Sequence, residues 1–487
     1  MRSASRIGLI GGGAFFLLLL LVPAPAGLSP EGWRAAAVAV LMAVWWMTEA
    51  IPIPATALLP LALFPTLGVL DMPAAAAPYA NEIIFLFMGG FIIAMAMERW
   101  GLHRRIALGI MAFIGTSPKR LILGFMVATG FLSMWISNTA TATMMLPIAM
   151  AVAEVFRPKD LDPETQPYHF GIALMLGIAY AASIGGVATL IGTPPNAVMA
   201  AAAEELLNTQ IGFVEWMEVG LPVAAFTLPL AWFVLVNFLH HPGEVSGDAA
   251  SVIHDEQSAQ GKMSRGEKSV AIVFFLAALS WVFRSPKELG AVTIPGIETF
   301  APGVRDSTIA MLAGVILFLI PVNWRKGEFA MNWTAARKMP WGVLVLFGGG
   351  LSLARAMDQT GLAAWIGGGV GALGALPQVV LLALVATLFV FLTEVTSNTA
   401  TATMAMPIMA GVAAGLGYPA ITLMATAALS ASMAFMLPVA TPPNAIVFSS
   451  EYLTIPRMAR AGFWMNIMAI AVITLTATLL IPLLLAN

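Results

Sequence analysis

Apolar runs recur along this chain from end to end, and the charges between them are too few to make a water-facing surface. The runs cover 7–23, 35–46, 83–97, 172–187, 223–239, 270–282, 308–322, 381–392 and 461–485. Only 10% of the 487 residues are charged, whereas a soluble domain carries about 25%. The longer runs, or neighbours taken together, can cross the roughly 30 Å hydrocarbon layer as helices. Backbone groups in lipid must be satisfied internally, which leaves helices or a closed barrel. The sequence has no short alternating strands of the barrel kind. The expected fold is therefore an all-α polytopic membrane protein with roughly ten to twelve spans.

Other classes drop out quickly. A net charge of −2 argues for no nucleic-acid partner. With no cysteine, disulfides, thiolate metal sites and cysteine nucleophiles are excluded. Arg2, Arg6, an apolar run and Ala24-Pro25-Ala26-Gly27 have the outline of a signal peptide, but many spans follow, so the segment is read as a first membrane helix. Arg2 and Arg6, with the cluster Arg99, Arg104, Arg105, Lys119 and Arg120, are expected on the cytoplasmic side. Arg284, Lys287 and Arg305 fit that rule less well.

The chain repeats itself. Residues 137–148 read SNTATATMMLPI and residues 397–408 read SNTATATMAMPI, identical at ten of twelve positions with an offset of 260. The same offset aligns Gly89-Gly90 with Gly349-Gly350, Gly101-Leu102 with Gly361-Leu362, and Ser133 with Thr393. Thr193-Pro194-Pro195-Asn196-Ala197 then matches Thr441-Pro442-Pro443-Asn444-Ala445 at an offset of 248. Four markers in one order are not a product of Ala/Thr bias. They divide the chain into a half over 1–240, a polar linker over 241–268 and a half over 269–487. His240, His241 and His254 fit no familiar metal-ligand spacing, so a solvated loop is expected there. Residues 323–341 hold Arg325, Lys326, Arg337 and Lys338 among Trp324, Trp333 and Trp341, and read as an interfacial segment.

Ser137-Asn138-Thr139 and Ser397-Asn398-Thr399 sit in apolar surroundings, where polar side chains find partners or face a cavity. Hydroxyls and amides both donate and accept, so each motif suits a carboxylate and a hard cation such as sodium. One such motif would be read as helix–helix glue. Two near-identical copies point to function. The Thr-Pro-Pro segments cannot continue a helix, because each proline removes an N–H and clashes with the preceding turn. Gly192 and Ala440 precede these breaks and leave the carbonyls uncovered. Paired breaks at corresponding positions of two halves are the sequence pointer to a transporter site.

Charge is informative by absence. No Lys, Arg or His occurs in 121–156, 171–219 or 356–456. A dianion bound there needs bound cations, which favours cation-coupled symport over exchange. A serine hydrolase using Ser137 or Ser397 lacks a nearby base; broken helices also fit a channel, but two closed anion-and-cation sites do not require a continuous pore. Glu49 and Glu394 are acids in apolar sequence. Either can carry a proton; Glu49 equally suits a cap, and Glu394 equally suits tuning a cation site. Arg355 and Asp358, at i and i+3, are expected to pair locally.

From Thr48-Glu49-Ala50-Ile51-Pro52 through both Ser-Asn-Thr copies to Ala440-Thr441-Pro442-Pro443-Asn444, the chain resembles the divalent anion:sodium symporters. The resemblance implies two inverted repeats and about eleven transmembrane helices with two re-entrant hairpins. The hairpins map near 119–156 and 379–412, and the broken helices near 192–196 and 440–444. It implies scaffold and transport domains, an elevator mechanism, a homodimer in the lipid bilayer of the cell inner membrane, and symport of sodium with C4-dicarboxylates such as succinate, malate and fumarate. Citrate or sulfate preference, or dicarboxylate exchange, are the alternatives. By the same resemblance one Na+ site uses Ser133, Ser137, Asn138 and the backbone at Gly192. The second uses Thr393, the backbone at Thr396, Asn398 and the backbone at Ala440. Substrate carboxylates would meet Asn138, Thr139, Asn398 and Thr399, with Thr441 and Pro442 nearby.

Overall fold

In the computed structural model, residues 3–115, 117–157, 167–243, 249–289, 292–371 and 376–485 are described. They are mostly helical. Six helices, or runs of adjoining helices, are long and apolar enough to cross a membrane: Ala4–Leu21, Met72–Trp100, His169–Gly186, Phe213–Leu239, Asn398–Leu416 and Ile455–Leu484. Four shorter apolar helices accompany them, at Ile53–Thr66, Asp306–Leu319, Gln378–Thr393 and Ala420–Ala431. Large apolar side chains such as Ile10, Phe226, Phe275, Leu312 and Leu475 lie exposed on the outside, as a lipid-facing surface requires. Arg6 lies near the start of the helix Ser3–Leu21, which packs against Pro30–Thr48.

Local sequence explains where these helices start and stop. Ser29 caps Pro30–Thr48 by accepting from Gly32 N–H at 3.0 Å. Glu49 follows that helix in a left-handed conformation, φ 46°, the cap role open to it from sequence. Gly101 and Gly361 adopt φ 73° and 75°, a region that favours glycine, and each turns one helix directly into the next. They hold corresponding places in the two halves, after Glu82–Trp100 and after Trp341–Gln359. Within lipid, helices gain little from hydrophobic burial against one another, and close backbone approach takes its place. Gly185 is such a contact point. A side chain there would collide with the backbone of Gly130 on the neighbouring helix.

Around each repeated motif the chain makes the same sequence of elements. Pro118–Ser133 is followed by a short non-helical segment at 134–137 and then by Asn138–Val155, which packs on it. Gln378–Thr393, a segment at 394–397 and Asn398–Leu416 do likewise. Beside the first lies a helix broken between His169–Gly186 and Pro194–Leu207, and beside the second one broken between Ala420–Ala431 and Pro442–Phe448. The packing crosses over. Pro194–Leu207 lies against Asn398–Leu416, and Pro442–Phe448 lies against Asn138–Val155. Each broken helix therefore begins against its own half and ends against the other.

The polar stretch between the halves differs from a bare loop. It contains the helix Ala249–Gln260, packed on Leu102–Ile114 with Gln257 Nε2 donating to Leu108 O at 3.0 Å. The next helix starts at Arg265, where Ser264 and Glu267 form a reciprocal cap. Glu267 also receives Arg105 at 2.7 Å, and Arg104 pairs with Glu256, so the basic cluster is fastened to this segment. Residues 321–329 form a two-stranded ribbon, and Trp324 and Trp333 are exposed beside it.

The expected Arg355–Asp358 pair does not form. Arg355 reaches across to Glu205 on the first broken helix at 2.5 Å, and also donates to Ala74 O at 3.3 Å. A local i,i+3 pair is worth only tenths of a kcal/mol, so a better-shielded partner on another element wins. Nearby, Arg305 joins Glu82 at 2.8 Å and Glu204 at 3.5 Å. These residues, with Asn81 and Asn208, line a polar cavity of about 490 Å³.

Candidate functional site

Where Pro118–Ser133 stops, Ser133 is fully buried. Its hydroxyl contacts Asn138 Oδ1 at 2.5 Å and Ala182 O at 2.7 Å. Ser137 caps the return helix, accepting from Ala140 N–H at 3.3 Å. The amide of Asn138 lies over Gly186, the last residue before the break, where an added Cβ would be 2.7 Å from Asn138 Oδ1. Gly192 closes the far side of the same break. A Cβ there would be 3.0 Å from Ser133 O and would collide with Gly186 O. Ser133, Asn138 and the backbone at 186 and 192 thus form one tight knot rich in oxygen atoms.

The second half repeats the knot with different residues. Thr393 is buried, and its hydroxyl contacts Asn398 Oδ1 at 2.8 Å and Ala431 O at 2.9 Å. Threonine keeps serine's hydroxyl and adds a methyl to the packing. Thr396 directs its own hydroxyl to Leu392 O and Thr401. Thr441 receives Asn444 N–H at 3.2 Å and starts Pro442–Phe448. Ala440, the last residue before Thr441, is buried, while Pro442 is exposed. Thr139 is exposed and Thr399 half-buried, each the second residue of its return helix.

Two features of the breaks escaped the sequence reading. The asparagine of each Thr-Pro-Pro-Asn folds back to hold its own loop. Asn196 Nδ2 donates to Gly186 O at 3.1 Å and Thr189 O at 2.7 Å. Asn444 Nδ2 donates to Ala434 O at 3.2 Å and Leu437 O at 3.0 Å, the same atoms at the offset of 248. Both side chains are fully buried, and among the described residues both Oδ1 atoms lack a partner. The motif's fourth residue carried this signal. The second feature is what Glu394, an acid already singled out in the sequence, holds: at 3% exposure it binds backbone N–H groups of the second break.

Chemically, each knot supplies hydroxyl, amide and carbonyl oxygens, the donor set of a hard monovalent or divalent cation rather than a soft metal. Among the described residues no cluster of three His, Cys, Asp or Glu side chains is placed to hold a metal. Serine chemistry is unsupported too, since Ser137 serves as a helix cap.

Residues 4–486 match the family described as the sodium:sulfate symporter transmembrane region. The chain belongs to that family. Among curated members, it is 44% identical over 482 residues to the sodium-dependent dicarboxylate transporter SdcS of Staphylococcus saprophyticus, covering 98% of this chain and 91% of that protein. It is 42% identical over 486 residues to SdcS of Staphylococcus aureus strain RF122, covering 98% and 92%. The fold is also that of the YdaH transporter of Alcanivorax borkumensis, with a TM-score of 0.60 at 14% identity over 98% of this chain and 99% of that one. MtrF of Neisseria gonorrhoeae gives 0.58 at 12% identity, over 96% and 94%. As a member of the sodium:sulfate symporter family, the chain is a multi-pass membrane transport protein and not an enzyme.

Proposed function

We propose that the chain is a sodium-coupled symporter of C4-dicarboxylates such as succinate, malate and fumarate, working in the plasma membrane. The carrying observation is the doubled oxygen knot, Ser133–Asn138 and Thr393–Asn398, set in sequence without basic residues. The names of the relatives support the same substrate pair. One Na+ would take Ser133, Ser137, Asn138 and the Gly192 backbone. The other would take Thr393, the Thr396 backbone, Asn398 and the Ala440 backbone. With two cations in place, the amides and hydroxyls of Asn138, Thr139, Asn398 and Thr399 are free to receive two carboxylates, beside Thr441 and Pro442. A half-helix N-terminus behind each break adds favourable dipole.

The halves act as inverted repeats in this reading. The hairpins and broken helices form a transport domain that slides as an elevator against a scaffold domain, which also holds a homodimer together. Cations bind first, so the loaded domain crosses with its charge largely compensated.

Succinate uptake into proteoliposomes, with and without an inward sodium gradient, tests the proposal. Uptake should require sodium and need no internal dicarboxylate. Uptake indifferent to sodium but dependent on internal dicarboxylate would establish an exchanger instead. Competition by citrate or sulfate stronger than by malate would move the substrate assignment.

A further inference from the structure

The hairpins and broken helices are tied to two other helices by hydrogen bonds. Trp216 Nε1 on Phe213–Val234 donates to Val187 O at 2.9 Å, and Trp232 Nε1 on the same helix donates to Lys119 O at 2.9 Å. Asn466 Nδ2 on Ile455–Leu479 donates to the Glu394 carboxylate at 2.8 Å. Toward Glu82–Trp100 and Trp341–Gln359 the contact is of another kind. The second glycine of each repeated pair lies there. A Cβ on Gly90 would be 3.2 Å from the Ile191 side chain, and one on Gly350 would collide with the Thr403 methyl. Ala201, Ala202 and Ala354 line a small gap around Gly350. Small apolar groups of this kind set no single register.

Charge sets it instead, at the end of the first broken helix. Glu205 meets Arg355 at 2.5 Å, and Glu204 meets Arg305, the residue that caps Asp306–Leu319, at 3.5 Å. Among the described residues these are the only ion pairs that join the hairpins and broken helices to Glu82–Trp100, Asp306–Leu319 and Trp341–Gln359. Both acids stand in the last turn of Pro194–Leu207, where the negative end of the helix dipole disfavours them. The two arginines offset that repulsion only while the helix keeps this register. The pairs border the polar cavity of about 490 Å³, where the Arg305 side chain is half-exposed. Water can hydrate the charges there when they part, so separation costs less than it would in a sealed interior.

We propose that Arg355–Glu205 and Arg305–Glu204 form a latch that holds the first broken helix in this register and opens when the transport domain crosses. The inference rests on the elevator reading above.

Asn81 and Asn208 line the same cavity from its two sides, one at the start of Glu82–Trp100 and the other at the end of Pro194–Leu207. The chain has no cysteine, so Asn81→Cys/Asn208→Cys supplies a unique pair for a short bifunctional methanethiosulfonate, applied in proteoliposomes. Cross-linking should abolish succinate uptake, and a reductant should restore it. Glu204→Gln/Glu205→Gln in that background should slow cross-linking about threefold, the result of an about tenfold shift away from a mainly latched population. Reversing the Arg355 pair, as Glu205→Arg/Arg355→Glu, should bring the rate back to within about twofold of the parent. An unchanged rate after neutralisation, or no recovery on reversal, overturns the latch. If the neutralised protein does not fold, Arg355→Met/Glu205→Gln decides in its place, with the same slowing expected. Uptake that persists in fully cross-linked protein shows instead that the two sides need not part, and the elevator reading falls together with the latch.

Discussion

At the scale of single residues, the two asparagines carry the most exacting demand. Asn138 and Asn398 each receive a hydroxyl on Oδ1, and no protein acceptor among the described residues takes their Nδ2 groups. One side chain can then face a cation and a carboxylate at once. Asn138→Ala and Asn398→Ala should each weaken sodium and succinate together, by tenfold or more. A variant that keeps wild-type affinity for either ligand would show that residue to be misplaced. His240, just past the span Phe213–Leu239, supplies a pH effect of another kind. Burial, and the positive field of His169, Arg457 and Arg460, lower its pKa to about 4. An unfolded chain takes up that proton near pH 6.5 while the folded one does not. The contribution to stability is therefore present above about pH 6.5 and is lost as pH falls toward about 4. Thermal unfolding across pH 7.5 to 4.5 should show a shallower decline for His240→Gln than for wild type.

At the scale of elements, the ion pair between Arg355 and Glu205 couples Trp341–Gln359 to the first broken helix. Both side chains are largely shielded, so removing one partner strands a charge. Arg355→Met or Glu205→Gln alone should cost about 2–3 kcal/mol. The double change Arg355→Met/Glu205→Gln should recover part of that loss, as a double-mutant cycle in detergent would measure. Sequence could not have disclosed this pair, because its members lie 150 positions apart and a nearer acid, Asp358, stood as a decoy. What sequence disclosed well was anything fixed by local chemistry. The Pro-Pro breaks and the two Ser-Asn-Thr copies follow from near neighbours, whereas the turns made by the repeat markers Gly101 and Gly361 emerge only in the fold. The donors to Glu394 come from 41 to 72 residues away and had no such local signature. The same holds for the helix inside the polar stretch, whose one buried apolar anchor, Ile253, finds its partners only in the fold.

At the scale of the whole molecule, the feature that matters most is the crossing of the broken helices. Pro194–Leu207 finishes against Asn398–Leu416, and Pro442–Phe448 against Asn138–Val155. That arrangement sets a problem in time as well as in space. The first hairpin tip, with Ser137 and Asn138, leaves the ribosome some 300 residues before its partner helix at 442–448 exists. At about 5–20 residues per second the wait is about 15–60 s. During that interval a polar loop and an interrupted helix must be kept from lipid and from wrong partners. Shelter of the half-made chain during synthesis is therefore expected to matter for this fold. Truncation before residue 442 leaves the first half made but unable to close.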